Sequence, residues 1–169
     1  MQDALSVYAI NTPIRLSMFL ANLGHESGRL VYVKEIWGPT AAQLRYEGRA
    51  DMGNNRPGDG PKFAGRGLIQ LTGRYNAAAC RDGLRKVTSV VPDFENDPTP
   101  LEQPKWAALS ACWYWNSKGL NAWADQGDFD GVCDVINRGR KTSVIGDASD
   151  YIERLALWKS GRSAVDLAQ

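Results

Sequence analysis

Two carboxylates carry the most evident chemistry of this chain. Glu26 stands at the end of an apolar run, in Gly24-His25-Glu26-Ser27-Gly28, and Glu35 follows nine residues later. Downstream, Gly65-Arg66-Gly67-Leu68-Ile69-Gln70-Leu71-Thr72 supplies neutral amide and hydroxyl groups. One carboxyl group protonating a leaving oxygen and a second activating a water are the minimum equipment for hydrolysing a glycosidic bond. Geometry sets a condition on that reading. On one continuous helix, nine steps would separate the two by roughly 13.5 Å and about half a turn, so they would face opposite sides. An acid and base that invert a sugar centre need to stand roughly 6.5–9.5 Å apart. Gly28 supplies the needed break, because glycine tolerates the left-handed conformation that stops a helix. Residues 30–34 can then leave the helix and fold Glu35 back.

The two carboxylates suggest different roles. Glu26, at the end of an apolar helix and beside His25, is expected to be partly desolvated, an environment that favours a protonated carboxyl and suits the acid. Glu35, next to Lys34 and closer to a polar segment, suits the base. Gln70 and Thr72 read as alternate positions on an extended stretch, so both can point into one cleft and orient the attacking water. His25 on its own reads as a satisfied structural histidine. Glu47, in Tyr46-Glu47-Gly48-Arg49, is a rival base.

The elements that must hold these groups are mostly helical. Thr12 caps and Pro13 opens a helix whose apolar face runs through Ile14, Leu16, Met18, Phe19, Leu20 and Leu23 and ends near Ser27-Gly28. Thr40-Ala41-Ala42-Gln43 has capping-box form and starts a short helix reaching Tyr46. Residues 48–65 turn polar and rich in Gly, Asn and Pro, which predicts a long exposed loop of functional interest. Further helices are predicted at Arg74–Leu84, Pro104–Ser117, Asp128–Asn137 and Ala148–Lys159, with Lys86–Val91 the best strand candidate. The expectation is a mainly α domain spanning residues 1–169.

The bulk properties narrow the function classes. At 169 residues the chain fits one domain able to bury roughly two-thirds of its unfolded surface. A formal net charge of +1 gives no footprint for nucleic acid and no electrostatic drive to a membrane. No apolar run approaches the roughly 20 residues a spanning helix needs, so no membrane insertion is expected. Met1-Gln2-Asp3-Ala4-Leu5 lacks the basic cluster of a signal peptide, which leads to an expectation of synthesis in the cytoplasm. Cys80, Cys112 and Cys133 are widely spaced and read as small buried apolar side chains, with one disulfide left open. Of the six tryptophans, most are expected in the core and some as platforms for sugar stacking.

The segment Phe19–Glu35, with His25-Glu26-Ser27-Gly28 at its centre, resembles the catalytic segment of glycoside hydrolase family 19, which contains chitinases and phage endolysins. Gly65–Asn76 is similar to that family's second hallmark, and Gly53-Asn54-Asn55-Arg56-Pro57-Gly58-Asp59-Gly60 is more similar to the endolysin branch. Ile136-Asn137 and Arg154 fall where later cleft residues are expected, although Arg138-Gly139-Arg140 and Ala77 depart from the family pattern. The resemblance implies a two-lobed, lysozyme-like helical fold with a substrate cleft between lobes. It implies an inverting mechanism with Glu26 as acid, Glu35 as base and Thr72 holding the water. Its spacing favours Glu35 over Glu47. Gln70, Tyr75, Asn76, Asn137 and Arg154 would contact sugar, and His25 would be structural support. No metal and no organic cofactor are implied.

The function expected on this basis is a peptidoglycan-degrading endolysin, a muramidase cleaving the β-1,4 bond between N-acetylmuramic acid and N-acetylglucosamine. Its partners would be peptidoglycan glycan strands, no nucleic acid, and a holin-like export partner by family analogy. It would be a monomer acting on the bacterial cell wall in the periplasm. The alternatives are a chitinase acting on N-acetylglucosamine polymers and a catalytically inactive wall-binding module.

Overall fold

Thr12 and Pro13 start the helix on which the site depends. Thr12 accepts a hydrogen bond from Arg15 N, and Pro13 takes the first helical position, where its missing N–H costs nothing. In the computed structural model, which describes residues 2–166, this helix is α2 (Pro13–Glu26) and follows α1 (Gln2–Val7). The remaining helices are α3 (Ala41–Leu44), α4 (Asp59–Lys62), α5 (Arg74–Leu84), α6 (Pro104–Ser117), α7 (Leu120–Asp125), α8 (Phe129–Arg138) and α9 (Tyr151–Asp166). Short 3-10 turns occur at Ala50–Met52 and Thr99–Glu102. The fold is mainly α. Among the described residues, pairing of extended chain is confined to two antiparallel bridges, Lys34 with Arg66 and Arg66 with Leu71.

The core forms where α2, α6, α7, α8 and α9 meet. Phe19 of α2 meets Trp115 of α6 edge to face with centroids 5.4 Å apart, and Phe129 of α8 stacks on Trp158 of α9 at 4.5 Å. Each such pair adds roughly 0.5–1.5 kcal/mol beyond the area it buries. Trp158 also donates its indole N–H to the buried Ser17 hydroxyl of α2, 3.1 Å away. Cys80, Cys112 and Cys133 are free and buried, in keeping with their reading as small apolar side chains.

The smaller, loop-rich part spans roughly 33–73, and here two expectations are corrected. Residues 48–65 are not one exposed loop. They contain the Ala50–Met52 turn and α4, and Asn54, Asp59 and Gly60 are buried. Asn54 accepts from Arg74 N at 3.0 Å and donates to Tyr46 O at 2.9 Å, while Asp59 pairs with the Arg74 guanidinium. Buried polar groups need such partners, and satisfying them pins the segment to α5. Lys86–Val91 is not a strand. Lys86 N bonds to Gly83 O, and Val87 N and Thr88 N bond to Leu84 O, so the chain coils off the end of α5. Val90 is left exposed, and no partner strand is present among the described residues. β-Propensity expresses fit to a sheet surface, and none is there to fit.

Smaller differences concern helix ends. α8 begins one residue later than expected because Asp128 serves as its cap, accepting from Gly131 N at 2.7 Å. α9 begins at Tyr151 and runs on to Asp166.

Candidate active site

The break after α2 forms at the expected place. Gly28 has φ +55°, and a Cβ there would sit 2.7 Å from the Tyr32 ring. Arg29 and Leu30 also take positive φ, at 62° and 67°, so the turn consists of three left-handed residues. Ser27 holds it together. Its hydroxyl donates to Leu23 O at 2.6 Å and accepts from Leu30 N at 2.8 Å, and its carbonyl accepts from Val31 N and Tyr32 N. Non-glycine residues adopt this region only at a cost, and the buried Ser27 bonds offset it here.

The chain then runs antiparallel to the second motif. Glu35 N donates to Gly65 O at 2.8 Å, Gly67 N to Val33 O at 2.9 Å, and Arg66 and Leu71 exchange both backbone bonds. Buried Arg66 anchors this unit through its pair with Glu102 and a 3.0 Å bond to Lys62 O. Glu35 is thereby set beside Gly65, and three donors fix its carboxylate. Gln43 Nε2 reaches Oε1 at 2.8 Å, the Tyr46 hydroxyl reaches the same oxygen at 3.4 Å, and Gly65 N reaches Oε2 at 2.8 Å. Burial, and after it the Glu35 charge, push the Tyr46 hydroxyl above the usual phenol range, so it stays a donor.

Glu26 lines a cavity of about 250 Å³ together with Gln70, Thr72, Asn76 and Asn137, and with Met52, Ile69, Leu71, Tyr114 and Ile136. The walls come from both parts of the molecule. Glu35 adjoins it, since Glu35 Oε2 and Gln70 Oε1 both abut Gly65 Cα: a Cβ built there would lie 3.3 Å from the first and 2.7 Å from the second. A larger groove of about 420 Å³, bounded by α1, α6 and residues 87–88, contains none of the site residues predicted from sequence.

Several placements differ from expectation. Glu26 is not held among apolar groups: its Oε1 accepts a 2.6 Å bond from Arg154 Nη2. Arg154 does not line the cavity. It is 1% exposed, with its other donors on Asn22 Oδ1 at 2.9 Å and Ser149 O at 3.0 Å, so it positions Glu26 from behind. Gln70 and Thr72 both line the cavity, but not as alternating residues of a strand. Residues 67–70 form a turn in which Gln70 has φ +53° and its N–H bonds to Gly67 O. Tyr75 is exposed, with its ring against Gly53, and does not line the cavity. Glu47, the rival base, spends both oxygens on Gly58 N and Gly60 N, each at 2.7 Å, and does not line the Glu26 cavity. His25 Nδ1 bonds Glu153 of α9 at 3.0 Å.

Sequence reasoning missed Tyr114, Gln43, Tyr46 and Asn22. Burial and then the Glu26 charge push the Tyr114 hydroxyl up to about 12, so it remains protonated on the cavity wall. Gln43 is the capping residue that its place in the capping box predicts: Thr40 N donates to its Oε1. Its amide nitrogen points the other way, to Glu35, a use that the local pattern does not encode.

No protein-family model matches the chain. A glycosyl hydrolase family 19 domain-containing protein of Haemophilus influenzae is 31% identical over 126 residues, which cover 59% of this chain and 60% of that protein. The match thus spans about three-fifths of that relative's length. Among solved structures, chitinase C from Streptomyces griseus HUT6037 superposes with a TM-score of 0.73 at 24% identity, covering 98% of this chain and 68% of that one. A chitinase C mutant gives 0.74 at 24% identity over 97% and 81% of the two chains. A bacterial family 19 chitinase gives 0.71 at 26% identity over 96% and 82%. The mainly α fold is therefore the one these chitinases share. The chain is thus similar in sequence to a family 19 domain-containing protein over part of its length, and in fold to a bacterial family 19 chitinase.

Proposed function

We propose that this chain is a glycoside hydrolase that cleaves β-1,4 bonds in polymers of N-acetylated aminosugars with inversion, Glu26 acting as acid and Glu35 as base. The observation that carries this reading is the state of the Glu35 carboxylate. It offers about four lone-pair sites, and Gln43, Tyr46 and Gly65 fill three of them beside the Glu26 cavity. One site is left for a water.

Thr72 completes the water's geometry. Its hydroxyl donates to Gln70 O at 2.8 Å, so toward the cleft it can only accept. A water donating one proton to Thr72 and the other to Glu35 keeps a lone pair for the anomeric carbon. On the other side Arg154 grips Glu26 Oε1 and leaves Oε2 to carry the transferred proton. Negative charge develops on Glu26 as that proton departs, and a fixed guanidinium stabilises it without reorganising. Asn76 and Asn137 line the same cavity and supply amides for the sugar acetamido and hydroxyl groups.

The named structural relatives are chitinases, which favours N-acetylglucosamine polymers as substrate. A second reading, a muramidase of the endolysin kind acting on peptidoglycan of the bacterial wall, is supported by the resemblance of the Gly53–Gly60 segment. Incubation with a chitin hexamer and with purified peptidoglycan, followed by mass analysis of the released ends, separates the two. NMR of the first product gives the anomer, which must be inverted. Glu26→Gln and Glu35→Gln should each cost on the order of 10²–10⁴ in rate. Near-wild-type cleavage by Glu26→Gln would sink the assignment of the acid. An inactive Glu47→Gln beside an active Glu35→Gln would overturn that of the base.

A further inference from the structure

Five of the six tryptophans lie in the core or pack against it, and Trp37 alone does neither. Its ring forms a wall of an open trough of about 320 Å³ with Pro39, Leu44 and Pro61, over Gln43 and the Gly58–Gly60 turn. Leu44 on the trough is 60% exposed. An aromatic wall beside two prolines and an exposed leucine presents apolar surface to water.

The trough lies one side chain away from the base. Gln43, which lines it, donates to Glu35 Oε1 at 2.8 Å. Trp37 pairs with the Tyr46 ring, centroids 6.3 Å apart, and the Tyr46 hydroxyl reaches the same Glu35 oxygen. One side chain thus separates the catalytic carboxylate from an apolar platform. The carboxylate on the trough wall, Glu47, is occupied by Gly58 N and Gly60 N, so it shapes the turn and offers no competing charge chemistry.

We propose that this trough is a glycan subsite beyond Glu35, with Trp37 as the platform for one further N-acetylated aminosugar unit of the polymer. The inference rests on the function proposed above. A pyranose ring presents a face of C–H bonds and an acetamido methyl, which match a broad indole surface and proline edges. Binding of such a non-reacting unit helps to hold the scissile bond at the two carboxylates.

The test measures affinity against chain length. Chitin trimer and hexamer, and peptide-free peptidoglycan strands of the same lengths, are titrated calorimetrically into the Glu26→Gln protein with and without Trp37→Ala. The hexamer should bind more tightly than the trimer, and Trp37→Ala should remove about ten-fold of that advantage. Trp37→Phe, which keeps a ring, should retain most of it. Leu44→Glu, which charges an exposed lip of the trough, should reproduce the loss. Equal loss at both lengths, or none at either, overturns the subsite. Hydrolysis of both glycans by the wild type is followed in parallel. If a glycan is cleaved while its length advantage ignores Trp37, the subsite fails and the functional reading stands. If neither glycan is bound or cleaved, the functional reading falls and the subsite with it.

Discussion

Replacing Gly65 with alanine should slow catalysis while leaving the fold nearly intact. The backbone of Gly65 is not in the left-handed region, so alanine can adopt it; the obstacle is space. An alanine Cβ would lie 2.7 Å from Gln70 Oε1 and 3.3 Å from Glu35 Oε2. The Gln70 amide is the far end of a flexible side chain and can swing away. It would then lose its bonds to Gly67 O at 3.0 Å and Tyr32 O at 3.4 Å. These are worth roughly 0.5–1.5 kcal/mol each, less for the longer one. Reduced freedom of the unfolded alanine chain returns roughly 0.4–1 kcal/mol. The net change should be within about 1 kcal/mol, or roughly 2–4 °C in Tm for a chain of this size. Activity should respond more strongly, because Glu35 must give by tenths of an ångström and Gln70 leaves the cavity. Misplacement approaching 1 Å costs on the order of 10² in rate, so kcat/KM should fall roughly 10–100-fold. Calorimetric melting beside oligosaccharide kinetics tests both halves. A variant with kcat/KM within about threefold of wild type, a change under 1 kcal/mol in the barrier, would refute the claim that this glycine makes room for the base.

Other perturbations bear on what holds the acid and the frame. Arg154→Met should destabilise by roughly 3 kcal/mol, since it strands the buried Asn22 oxygen and unpairs Glu26; urea denaturation within 1 kcal/mol of wild type would contradict this. Burial works to raise the Asp59 carboxyl, but the Arg74 guanidinium and Arg56 N outweigh it and hold it below the usual range. Its contribution is therefore fully present above roughly pH 4 and lost as pH falls through the depressed folded value. Asp59→Asn should be less stable at neutral pH and show a flatter acid limb in pH-dependent melts; an unchanged limb would remove Asp59 from the account. Burial pushes Cys112 and Cys133 up to about 12 and Cys80 further still. A thiol reagent at mild pH should label none of the three until the protein unfolds, and rapid labelling of any one would show that its site opens.

What could be read from sequence divides along the range of the interactions involved. α2, α5 and α6 were legible to within a residue at their ends because their caps, prolines and apolar faces are local signals. The Lys86–Val91 expectation failed because a run of β-branched residues states a preference that only a neighbouring strand can realise. The same contrast holds in the site. The motifs led to Glu26, Glu35 and Thr72, and Gly28 showed that the chain must turn between the carboxylates. The direction in which Arg154 points was not legible, since it depends on α9 packing against α2. Nor was the second role of Gln43, visible only once the chain has brought Glu35 against it. The turn at Gln70 delivers to the cavity the same two side chains that an extended strand would have delivered, so a wrong local conformation still led to the right neighbours.

The two carboxylates differ in what holds them, and the difference suits the roles proposed for them. Glu35 is held by groups that lie between residues 43 and 65, two from α3 and its exit and one from backbone, all of them uncharged donors. Such donors fix direction, and they leave the base one unfilled lone-pair site for a water. Glu26 is held by a charged donor from α9, 128 residues away, which is itself fixed by Asn22 of the same helix as Glu26. A group that gains negative charge during the reaction benefits from a fixed positive charge, whereas one that loses its charge by taking a proton from water benefits from neutral donors that keep it oriented. The packing of α9 on α2 therefore links the stability of the helical core to the proposed acid. The proposed base depends instead on the small antiparallel unit formed by residues 33–35 and 65–71.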